Sequence, residues 1–137
     1  MGKRIIQQAR GHGSSTYRVR RSSFKHKLKY PPKLKGQGTV IKLLNSSGHT
    51  APIAKIKYEN GFFYMPAFNK MIEGQKIDFE SKDVKEGNIS MLKDIPIKTQ
   101  IYNIESNPRD GGIFIKSAGN SAVIHRIIEN DIFVLMP

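Results

Sequence analysis

The four histidines, His12, His26, His49 and His125, are the side chains best suited to metal or proton chemistry, and their spacing supports neither. No two stand four residues apart as on a metal-binding helix, and no cysteine is present to complete a site. The same absence excludes thiolate nucleophiles and disulfide frameworks. His125 alternates with Ile124 and Ile127 and reads as a strand-surface residue. Glu105 and Asp110 flank a turn and could be posed as an acid pair, but turn carboxylates ordinarily cap backbone N–H groups. Gly11-His12-Gly13 and Gly36-Gln37-Gly38 lack the strand–turn–helix context of a phosphate-binding loop. The expectation is no enzyme, no cofactor, no metal and no small-molecule substrate.

The cations carry more information. Lys plus Arg number 23 against 11 Asp plus Glu, a formal net charge of +12. Residues 1–58 hold 14 of the basic residues and no acid, the first carboxylate being Glu59. Residues 59–137 hold 9 basic and 11 acidic residues, so the whole excess lies in the leading part. Such a field attracts polyanions before any shape is read. In residues 1–38 the basic groups Lys3, Arg4, Arg10, Arg18, Arg20, Arg21, Lys25, Lys27, Lys29, Lys33 and Lys35 are interleaved with His12, Tyr17, Phe24 and Tyr30. Cations neutralise phosphates while aromatic faces stack on unpaired bases. Glycines and serines at 11, 13, 14, 15, 22 and 23 break any long helix, and Pro31-Pro32 stiffens the chain. A solvated tail and an organelle presequence are the competing readings. The interrupting glycines argue against the presequence, and the interleaved rings favour an arm (1–35) that orders on RNA.

These groups must be positioned by β structure. Strands are predicted at Thr39–Leu44, Ile53–Tyr58, Phe62–Met65, Lys76–Phe79, Gln100–Ile104, Ile113–Ile115, Ala122–Ile127 and Ile132–Leu135. Asn60-Gly61 reads as a hairpin turn with positive φ at both positions. Lys55 and Lys57 share one strand face, either as a phosphate contact or as a solvated outer surface. Runs about ten residues apart suggest small barrels or sandwiches, an all-β fold. No apolar run approaches the roughly 20 residues of a membrane helix. Lys3-Arg4 is not followed by the apolar stretch of a secretion signal, so a soluble, membrane-free chain is expected.

Four stretches together carry a family likeness. They are Met1-Gly2-Lys3-Arg4 through Ser14, Ser47 through Ile56 with Gly48-His49-Thr50-Ala51-Pro52, Gly87-Asn88 through Pro96, and Asn107-Pro108-Arg109-Asp110-Gly111-Gly112 with Ser117-Ala118-Gly119. In this order they resemble the universal L-two family, the second protein of the large ribosomal subunit, in its archaeal and eukaryotic cytosolic type. The resemblance implies an extended basic RNA-binding arm (1–35), an OB-like barrel (36–96) and an SH3-like barrel (97–137) shorter than the family's. It implies large-subunit ribosomal RNA and neighbouring ribosomal proteins as partners, a cytosolic ribosome as location, and translation as the process. It adds His49, Arg109, Lys116 and Ser117 to the RNA-contacting residues. His49 and Thr50 stand where the family has Arg and Gly, and Ile113-Phe114-Ile115 replaces a more polar run. The family's glycine- and histidine-rich segment near the peptidyl transferase centre has no counterpart here, so no role there is carried over.

Two other classes remain distinct from this reading. A free single-strand-binding OB module would expose stacking rings among Phe62, Phe63 and Tyr64. A basic hydrolase or lipid-surface protein lacks both a site and an amphipathic helix. On the arm reading, deleting residues 2–35 removes RNA binding and leaves the β body intact.

Overall fold

Alternation of apolar and basic residues in Ile53–Tyr58 sends Ala54 and Ile56 to one side of a strand and Lys55 and Lys57 to the other. In the computed structural model, which describes residues 2–137, this strand (β2) lies inside a four-stranded antiparallel sheet. Its neighbours are β1 (Gln37–Leu44) and β3 (Gly61–Pro66), and β4 (Lys76–Asp78) pairs with the far side of β1. A second antiparallel sheet holds β5 (Gln100–Ile101), β6 (Ala122–Ile128) and β7 (Asp131–Leu135) in that order. The fold is all-β and barrel-like, with one six-residue helix, α1 (Ile6–Gly11), in the leading segment. Met1 lies outside the described residues.

The first sheet folds around Val40, Ala54, Ile56, Phe63, Met65, Met71, Ile77 and Phe79. Phe63 is central, with ring centroids of Tyr58, Phe79 and Tyr30 at 5.5, 5.9 and 6.3 Å. Tyr102, just beyond β5, packs against this same core and donates from its hydroxyl to the Pro66 carbonyl at 3.1 Å. The second sheet buries Ala122 and Ile124 beside Asn103. The two sheets are thus joined by an aromatic side chain and a hydrogen bond.

The structure redraws the arm. Residues 2–22 are almost entirely exposed, but the segment from Phe24 onward belongs to the body. Leu28 makes a parallel bridge to Tyr64, and the Lys29 N–H donates to the Tyr64 carbonyl at 3.2 Å. This backbone covers the open edge of β3, which would otherwise present unpaired groups to other chains. Leu34 is buried in the core, and Tyr30 packs on Phe63. A cut at residue 35 therefore removes residues that pack in the core.

Two local differences have physical causes. The β2–β3 loop is Glu59-Asn60, because Tyr58 pairs with Gly61, and neither loop residue has positive φ. Gly61 instead opens β3 at φ +136°, a region that penalises any side chain. Gln100–Ile101 pairs with β6 for two residues only, while Ile104 bridges Phe114 in isolation, so the predicted strand at 113–115 reduces to that bridge.

Candidate nucleic-acid interface

Antiparallel register decides which side chains share the outer face of the first sheet. Lys55 stands opposite Lys42 on β1 and opposite Tyr64 on β3. Lys57 stands opposite Thr39 and Phe62. Opposed pairs point to the same side, so two rows form, Lys42–Lys55–Tyr64 and Thr39–Lys57–Phe62. A register shift between Val40 and Lys42 brings this about, since the extra residue Ile41 turns Lys42 to the face of Lys55. Facing lysines on adjacent strands repel, and an anion laid across them removes that cost. Strand alternation alone does not place Lys42 on this face, because a bulge leaves no signal in side-chain period.

The three rings between which the sequence could not choose go three ways. Phe63 is core, and Tyr64 lies under the imidazole of His26 with centroids 4.6 Å apart. Phe62 is 52% exposed, with the Lys55 ammonium 4.4 Å from its ring centre. The face sets cations beside one accessible ring.

The remaining predicted contacts distribute as follows. Lys3, Arg4, Arg10, His12, Tyr17, Arg18, Arg20 and Arg21 are exposed on the projecting segment, with the Arg10 guanidinium 5.9 Å above the Tyr17 ring. Lys25 and Lys27 point outward along the edge of β3, alternating with the half-buried His26 and Leu28. Lys29 lays its aliphatic chain over Gly111, and its charge acts on Asp110. Lys33 and Lys35 lie beside Glu59 and Asn60 at the β2–β3 turn, and Arg109 is exposed on the 105–112 turn. The Tyr30 ring packs edge to face on Phe63 at the core, and burial pushes its phenol well above the usual range.

At the opposite end of the sheet, His49, Lys116 and the exposed Ser117 come together. The Ala118 N–H donates to the Thr50 hydroxyl at 3.0 Å, holding the 116–118 turn against the β1–β2 loop. Phe24 meets His49 edge to face at 5.1 Å. The Lys116 ammonium donates to the Leu28 carbonyl at 3.1 Å.

The acid pair is a turn scaffold. Asp110 accepts from the N–H groups of Ser106, Asn107 and Gly112 at 2.8, 2.7 and 3.0 Å, and these bonds hold its carboxyl below the usual range. Glu105 accepts from the N–H groups of Arg109 and Gly111, both at 3.1 Å. Both carboxylates are engaged by backbone N–H groups of their own turn. Among the described residues no three His, Asp or Glu side chains group as metal ligands, and no helix is long and apolar enough to cross a membrane.

Comparison with known proteins finds relatives along the whole chain. The family model described as Ribosomal Proteins L2, C-terminal domain, matches residues 85–137. The large ribosomal subunit protein uL2 of Pyrobaculum neutrophilum is 37% identical over 142 residues, covering 100% of this chain and 58% of its own length. That of Hyperthermus butylicus is 39% identical, covering 100% of this chain and 59% of its own. The Methanothermobacter thermautotrophicus protein is 39% identical, with 89% and 54% covered. The chain thus spans a little over half the length of these relatives. Matched along its whole length to archaeal proteins of one name, it belongs, over the part it spans, to the uL2 family of large ribosomal subunit proteins.

Proposed function

We propose that this chain is a structural, non-catalytic constituent of the large ribosomal subunit that binds and stabilises large-subunit ribosomal RNA during assembly and translation. The carrying observation is the Lys42–Lys55–Tyr64 row, two directly opposed lysines beside an aromatic ring. It lies on a body whose first 58 residues contain no carboxylate. The projecting segment neutralises phosphates between RNA helices, and the sheet face rests on the sugar–phosphate surface. Recognition is of RNA shape, because the A-form major groove is closed to side chains. Ribosomal proteins adjoin the body, and the place of action is the cytosolic ribosome.

Affinity of the full chain for large-subunit ribosomal RNA, measured against salt, tests this. With about 6–10 cationic contacts the log–log slope is steep, near −0.7 to −0.9 for each phosphate neutralised. Replacing Lys42 and Lys55 by Gln lowers the slope by roughly one to two without changing the melting of the protein. A native slope shallower than about −2 overturns the reading.

A further inference from the structure

Three basic side chains from distant parts of the chain converge beside the β1–β2 loop. His49 is fixed there by its Nδ1, 2.9 Å from the Ser46 hydroxyl, and by the Phe24 ring. His26, two residues beyond Phe24, tilts over Tyr64, which stands opposite Lys55. Lys116 arrives from the second sheet and bonds the Leu28 carbonyl. The residue before it, Ile115, has φ +57°, a costly conformation for a β-branched side chain. The strain lies where the chain turns to deliver Lys116.

The charges acting on His49 are both cationic, from His26 and Lys116, and they add to burial in holding its pKa below the ordinary value. Lys116 is lowered by burial as well, against the opposing charge of Asp110. Asp110 is already engaged by three N–H groups and by the charge of Lys29. The cluster lacks an anion of its own.

We propose that His26, His49 and Lys116 form one site for a backbone phosphodiester of ribosomal RNA, and that filling it is coupled to protonation of His49. This rests on the RNA-binding reading above. In the empty site burial, and then the cationic neighbours His26 and Lys116, disfavour the imidazolium of His49. A phosphate among the three groups reverses the local field, and the imidazolium becomes the favoured form. It then donates from Nδ1 to the Ser46 hydroxyl and from Nε2 to the phosphate oxygen. One proton is taken up per site filled. Affinity therefore falls as pH rises between the free and bound pKa values, by up to about tenfold per pH unit. Arginine at 49 supplies the charge permanently and removes the part of the linkage that comes from residue 49.

The test measures affinity of the full chain for large-subunit ribosomal RNA from about pH 5.5 to about pH 8 at fixed salt, for the native chain and for His49→Arg. The native chain is expected to lose about tenfold or more over this range, and the variant to lose clearly less and bind at least as well at the alkaline end. Equal pH dependence in both overturns the site while leaving RNA binding standing. Failure of both to bind at any pH in low salt overturns the RNA reading and the site with it. In parallel, the NMR titration midpoint of the His49 ring rises on adding the RNA. An unmoved midpoint overturns the proposal, and an equal rise with inorganic phosphate alone overturns its assignment to RNA.

Discussion

The backbone N–H of Tyr30 donates to the carbonyl of Gly111 at 2.9 Å, tying the basic leading segment to the turn that follows β5. Beside it the Lys29 side chain covers Gly111, and Leu28 is bridged to Tyr64 on the first sheet. The segment is thus a seam between the sheets, with residues 2–22 projecting from it.

Two truncations separate seam from projection. Removing residues 2–22 is expected to leave the circular dichroism spectrum and melting temperature nearly unchanged. Removing residues 2–35 takes Tyr30 and Leu34 out of the core and should abolish cooperative melting. Leu34→Ala alone is expected to cost about 2–5 kcal/mol in denaturant titration.

Gly38 in β1 is a packing glycine. A Cβ there would meet Ile56 Cγ2 at 2.8 Å and press on the Phe79 ring. Gly38→Ala is expected to destabilise by about 1–3 kcal/mol. Its signature is a lower denaturation midpoint at an unchanged m-value.

Alkali should unfold this protein through two phenols. Burial raises the pKa of Tyr30 and of Tyr102 above the ordinary tyrosine value of 10.0. The folded state therefore holds protons that the unfolded state releases. That stability is fully present below about pH 10 and is lost as pH rises beyond it. Phenolate absorbance from these two rings should appear only together with loss of the β spectrum. Tyr102→Phe, which leaves the Pro66 carbonyl without its donor, should lower stability by roughly 1 kcal/mol and remove one late phenol from the titration.

Legibility in the sequence followed the range of the interactions. β2 runs from Ile53 to Tyr58, the span its alternation of Ile and Lys marks. The 107–112 turn was equally plain, because Asn, Pro, Asp and Gly act on their own backbone. The seam was not recognised, since Leu28 pairs with Tyr64 through backbone groups that carry no residue signature. Yet a signal was present. Phe24, His26, Leu28 and Tyr30 alternate with Lys25, Lys27 and Lys29, the period of an edge strand, and the lysines drew attention to charge alone. His26 stands in that same alternation, on the half-buried side. Lys42 needed the bulge at Ile41, which only the register reveals.

The seam also sets an order of events during synthesis. Residues 24–30 are made before either Tyr64 or Gly111, the positions that receive them. At about 5–20 residues per second, the wait for Gly111 is roughly 4–16 s. Until Tyr64 is made, the nascent polycation has neither of these partners within its own chain. A polyanion that meets Lys25, Lys27 and Lys29 in that time reaches them before β3 does, and because docking on β3 uses backbone groups the two contacts are compatible.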